Sequence, residues 1–257
     1  MKLIPWLVLV LCLGCGTVEI HKSSSAVDYL FPEGAPASAP RDVTLRLPVR
    51  VGIAFAPGGK SSHYDDLAQL SAEVSALSEV ERQRILEQVA AAVTRLDDVH
   101  TAQTIPSQYL HVGGSFDEID QIAQTFGIDL LVLLSYDQLQ FSHTNNWSLA
   151  YMTIFGAWFV EGEDNQTQTF IEAMVYDIPS RTLLFRATGS SQLGGSATPL
   201  DTLPELQRDA AKGLAKSTEE LLLNLGRALT AFEQQISSGT VRGPGTPAIE
   251  VLPRASL

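Results

Sequence analysis

Cysteine is almost absent from this chain: the only two among 257 residues are Cys12 and Cys15. Everything after Cys15 therefore lacks disulfides, a cysteine nucleophile and thiolate metal ligands, which excludes zinc ribbons and cysteine catalysis. Positive charge is scarce too, with 17 Lys and Arg against 29 Asp and Glu, a net charge of −12 and a pI near 4.8. A surface of that sign repels phosphate backbones and anionic headgroups, so neither a nucleic acid partner nor charge-driven membrane adhesion is expected. The five histidines, His21, His63, His100, His111 and His143, show no i, i+4 pairing and no H-E-x-x-H spacing, so no metal site is expected. No G-x-S-x-G elbow surrounds a serine, and there is no internal repeat. No apolar run reaches the roughly 20 residues of a membrane-spanning helix.

The most apolar stretch is the first, MKLIPWLVLVLCLGCG, where Lys2 precedes about a dozen mostly apolar residues ending at Gly14 and Cys15. That is the size of a secretory signal. The segment Leu11-Cys12-Leu13-Gly14-Cys15 resembles the lipobox of bacterial lipoproteins. The resemblance implies a signal peptide over residues 1–14, cleavage before Cys15, a covalent lipid on the Cys15 thiol and attachment to the membrane through that lipid. Gly16 follows where an aspartate would argue for inner-membrane retention, so the expected location is the outer membrane, facing the periplasm.

Residues 15–42 are rich in Ser, Ala and Pro and carry no sustained period, so they are expected to form a flexible tether behind the lipidated Cys15. At about 5 to 6 Å times the square root of its length, such a tether would hold the body roughly 25 to 30 Å from the bilayer. Residues 43–236 form one α/β domain, with α+β possible: a mixed sheet with helices packed on it and a long C-terminal helix. Val49, Val51, Ile53 and Phe55 alternate with smaller or polar residues, as in a strand. Capping-box pairs Ser78 with Glu81 and Ser115 with Glu118 start two helices, the second stopped by Gly127. Ile128 to Leu134 is apolar on both faces, which marks a central strand covered on each side. Thr167–Tyr176 and Thr182–Ala187 form a hairpin through Asp177-Ile178-Pro179-Ser180-Arg181. A stripe of Leu206, Ala210, Leu214, Leu221, Leu225, Ala228 and Phe232 marks the long last helix. The Gly/Pro-rich tail, residues 237–257, is expected to be disordered.

Few residues suggest chemistry. Ala54 to Ser61 comes within one residue of a phosphate-binding loop, but Ala54 replaces its first glycine and Pro57 removes a backbone donor, so no nucleotide is expected. Asp137 and Asp177 each follow a tyrosine at a strand end, where a carboxylate usually caps a turn. If the two met, they could serve as the acid and base of a hydrolase or carbohydrate-processing enzyme. The aromatic segment Trp147 to Val160 reads first as a buried strand. The alternative is a partner surface made by Trp147, Tyr151, Phe155 and Trp158.

The stretch from Leu130 to Gly189, with LLVLLSYDQ, YMTIFGAWFVEGEDNQT and VYDIPSRTLLFRATG, resembles the rhombotarget lipoproteins, a bacterial group that co-occurs with the intramembrane protease rhombosortase. The order of elements also looks like the periplasmic domains of the curli-export lipoprotein and the lipoprotein activator of penicillin-binding proteins. The rhombotarget resemblance implies an envelope lipoprotein linked to a protein-sorting or surface-assembly system. The absence of any catalytic constellation in the sequence favours a non-enzymatic scaffold or accessory, with no cofactor and an unidentified envelope protein as partner. The resemblances supply no catalytic residues.

Overall fold

The apolar alternation from Val49 and the doubly apolar run from Leu130 become neighbouring parallel strands at the centre of the molecule. The structure, a computed structural model, describes residues 18–32, 41–58, 77–142, 165–195, 202–237 and 248–254. In chain order its elements are β1 (Val18–Ser24), α1 (Ala26–Leu30), β2 (Val43–Leu47), β3 (Val49–Phe55), α2 (Glu79–Val93) and β4 (Val99–Thr104). They continue with α3 (Phe116–Phe126), β5 (Leu130–Ser142), β6 (Asn165–Asp177), β7 (Thr182–Gly195), α4 (Thr202–Ser237) and β8 (Ile249–Pro253). This is the expected mixed sheet with helices packed on it and a long C-terminal helix.

The main sheet runs β4-β3-β5-β6-β7. Its β4, β3 and β5 are mutually parallel, while β6 and β7 return antiparallel. Strand β5 is 13 residues long and uses one edge twice. Its first part, Leu130–Leu134, pairs with β3, and its second, Tyr136–Ser142, pairs with β1. Alternation along β5 sends Leu130, Val132 and Leu134 into a core beneath α2 and α4, and Leu131 and Leu133 into a second core beneath α1 and α3. Both faces are thus dry, as the sequence of this strand required.

Helix ends follow their local chemistry. Ser78 and Glu81 form the full capping box of α2. Gly127 closes α3 in the left-handed region at φ 64°, which glycine adopts without a Cβ penalty. At α3 the expected box is only half made. Ser115 is the N-cap and accepts from the Asp117 N–H, but Glu118 turns away to other partners. In the β6–β7 turn, Arg181 takes φ 56°, and its guanidinium pairs with Asp117 at 2.9 Å and Asp120 at 2.8 Å on α3. The hairpin is thereby clamped to the helix covering its sheet.

Two expectations are corrected. Residues 15–42 are not a tether throughout, because residues 18–24 are strand β1 and 26–30 are helix α1. Composition misled here: β5 extends past the end of β3, its edge needs a hydrogen-bonding partner, and almost any backbone can supply one. The tail 237–257 likewise contains β8, which pairs in parallel with β2. Arg254 fastens it, donating from its N–H to the Leu47 carbonyl and from its guanidinium to Asp129.

Helix α4 lies so close to the sheet that a Cβ on Gly189 would collide with the Ser217 carbonyl oxygen and the Leu221 backbone. Gly189→Ala should therefore destabilise by about 1 to 3 kcal/mol through overpacking. Leu133→Ala, at a fully buried position, should cost about 2 to 5 kcal/mol. Urea unfolding of both variants checks these values, and a Leu133→Ala loss under about 0.5 kcal/mol would contradict the central position of β5.

Candidate functional site

Asp137 and Asp177 do not meet. Asp137 is the register partner of Phe170, and Asp177 that of Leu130. The seven positions from Phe170 to Asp177 along β6 span about 23 Å at roughly 3.3 Å per residue. Asp177 is buried, and its carboxylate accepts from the Ser180 N–H at 2.9 Å, the turn-capping role usual for an aspartate at a strand end. Burial pushes its pKa up against the hydrogen bond from Ser180. The acid/base pair of a hydrolase is therefore not assembled from these two residues.

Other candidates scatter. His100 is exposed on edge strand β4. Cys15, Trp147, Tyr151, Phe155, Trp158, His63, His143 and Gly59 to Ser61 lie outside the described residues. The strands flanking the aromatic segment are described: β5 ends at Ser142 and β6 begins at Asn165, and these two residues are paired. Among the described residues no group of three or more His, Cys, Asp or Glu is arranged to hold a metal ion.

The structure brings together a polar cluster that the sequence did not reveal. Tyr29 of α1 donates its hydroxyl to Glu118 Oε2 in the first turn of α3. His111 places Nδ1 2.6 Å from Glu118 Oε1 and donates its backbone N–H to Oε2 at 3.2 Å. Gly114 leaves room for this meeting, since a Cβ there would press on the Glu118 carboxylate and the Tyr29 ring. Burial raises the Glu118 pKa, but the hydrogen bonds from Tyr29 and His111 outweigh it and hold the carboxyl below its ordinary range. Burial and the same carboxylate push the Tyr29 phenol well above its usual value. The stable state at neutral pH is a carboxylate with both oxygens engaged, which suits a clamp between α1 and α3 better than an attacking base. The sequence marks Glu118 only as a capping residue, and Tyr29 lies 89 positions away in a stretch whose composition suggests a tether.

A second feature is an apolar cavity of about 60 Å³ between the sheet, β2 and the C-terminal ends of α2 and α4. Leu47, Val51, Val132, Leu229 and Phe232 line it, and Asp98 and Glu233 also border it. It is well below the roughly 150 Å³ that admits a benzene-sized guest, so it fits at most a small apolar group.

No family model and no curated protein matches this chain. Among solved structures it is similar to a PelC dodecamer from Paraburkholderia phytofirmans at 12% identity, covering 80% of this chain and 99% of that one, with a TM-score of 0.27. Lipoprotein GNA1162 from Neisseria meningitidis matches at 13% identity, 63% and 96% coverage and a TM-score of 0.28. A neuraminyllactose-binding hemagglutinin homolog from Helicobacter pylori matches at 6% identity, 78% and 97% coverage and a TM-score of 0.35. Likenesses this loose carry no argument about function.

The clamp predicts a pH dependence. The folded pKa of Glu118 lies below its unfolded value of about 4.3, so its stabilisation is complete above that pH and is lost as pH falls through the folded value. Glu118→Gln removes this contribution. The stability gap between wild type and variant should therefore be largest near pH 7 and shrink toward pH 3, as denaturant melts at several pH values would show; a gap that widened in acid would contradict the clamp.

Proposed function

We propose that this chain is a lipid-anchored bacterial envelope protein whose α/β domain serves as a non-enzymatic scaffold or accessory. The lipobox-like Leu11–Cys15 immediately ahead of a folded domain carries this reading. Cys15 bears the lipid. Gly16 supports an outer-membrane address facing the periplasm. Asp137 and Asp177 lie far apart and Glu118 is engaged through both oxygens, which supports a binding role over hydrolysis by these three carboxylates. The resemblance of Leu130–Gly189 to rhombotarget lipoproteins supports a partner in an envelope protein-sorting system.

Each lipid CH₂ buried in the bilayer contributes about 0.8 kcal/mol, and two or more chains give stable anchoring. Cys15→Ser should convert a membrane-bound protein into a soluble or unprocessed one, as fractionation and mass measurement of the mature N-terminus would show. A fully processed Cys15→Ser protein that stays in the membrane fraction would overturn the anchor.

A further inference from the structure

Only Gly16 and Thr17 separate Cys15 from Val18, the first residue of β1. Three Cα-to-Cα steps reach no further than about 11 Å. Val18 pairs with Ser142 at the end of β5, Ser142 with Asn165 at the start of β6, and Asn165 with Gly195 at the end of β7. A lipid on Cys15 is therefore leashed to one end of a four-strand ladder. From Ser142 to Leu130 the ladder measures about 40 Å at roughly 3.3 Å per residue, several times the leash. The β6–β7 turn at the other end cannot be the part held against the bilayer by that lipid.

Three of the four strands carry no charge at the leashed end. Residues 138–142, 165–171 and 189–195, the leashed ends of β5, β6 and β7, contain no Asp, Glu, Lys or Arg, in a chain that is 18% charged. Strand β1 adds one charge of each sign, Glu19 and Lys22. At the far end Asp129 meets Arg50 and Arg254, and Arg181 meets Asp117 and Asp120, while α4, which packs beside the leashed end through Ala210 and Gly213, carries the Asp209–Lys212 pair there. Glu161, Glu163 and Asp164 directly precede Asn165 in sequence, so this end gains nothing from anionic headgroups and depends on the acyl anchor for its hold.

We infer that the domain stands upright on the lipid surface, with the end of the β1–β5–β6–β7 ladder nearest Cys15 against the bilayer and the β6–β7 turn pointing away. The inference rests on lipidation of Cys15. It replaces a body swinging roughly 25 to 30 Å out on a tether with one seated directly on the membrane.

Both native cysteines lie in Leu11–Cys15, so in the lipidated protein an introduced cysteine is the only free thiol. Three full-length variants, Gln192→Cys at the leashed end, Leu183→Cys at the turn end and Thr101→Cys on edge strand β4, would carry an environment-sensitive fluorophore. They would be reconstituted in phosphatidylethanolamine and phosphatidylglycerol vesicles containing a lipid-borne quencher. The expected result is loss of emission at position 192 with emission retained at 183 and 101. A flexible Gly/Ser insertion after Gly16 should restore emission at 192. Positions 101 and 183 both lie at the far end of the sheet, so quenching at either as strong as at 192 would put that end at the bilayer, in a domain lying on its side or inverted, and would overturn the orientation. So would an insertion that changes nothing. Mass measurement keeps the two readings apart: an unmodified Cys15 overturns the anchor together with the orientation, whereas a lipidated Cys15 with the wrong quenching pattern overturns the orientation alone.

Discussion

The double use of one edge of β5 is the constraint on which the remaining structure depends. Its residues face two cores at once, so the strand is stable only where helices cover both sides. Its length exceeds that of β3, so the backbone from Tyr136 to Ser142 would present unpaired N–H and C=O groups without a further strand. Buried backbone groups without partners are costly, and β1 supplies the partners. A segment that composition would assign to a linker becomes part of the sheet for this reason.

The two ends of the ladder differ in what they can do. At the β5 start, Asp129 is partly buried, which raises its carboxyl, but Arg50 and Arg254 outweigh burial and hold it below the ordinary range. That one carboxylate ties β3, the start of β5 and the chain just after β8 together. At the other end buried amides take over: Gln138 donates to Thr169 at 2.8 Å and to the Ala210 carbonyl of α4, and Gln140 donates to Thr167 at 3.1 Å. Neutral hydrogen-bonded side chains can sit near a low-dielectric boundary at far less cost than ions.

Much of this was legible in the chain. The doubly apolar run at Leu130, the alternation at Val49, the Ser78 and Glu81 box, the Gly127 stop and the proline-containing turn all formed where local chemistry placed them. Each of those signals is local, depending on residues within one or two turns or along one strand. The misses are non-local. Glu118 had a good local partner in the Ser115 backbone and instead bonded Tyr29 and His111, because a buried phenol needs an acceptor more than a helix N-terminus needs a second cap.

By itself the sequence determined the class of fold, the central strand, the lack of thiol chemistry in the body and a single lipobox-like cysteine, since composition and periodicity are written residue by residue. Only the tertiary structure decided that β1 and β8 belong to sheets, that Asp137 and Asp177 stand apart, and that Val18, the start of β1, pairs with Ser142 at the end of β5. Those outcomes depend on which backbone edges and buried polar groups are left wanting partners once the core has closed, a condition that no local window of sequence contains.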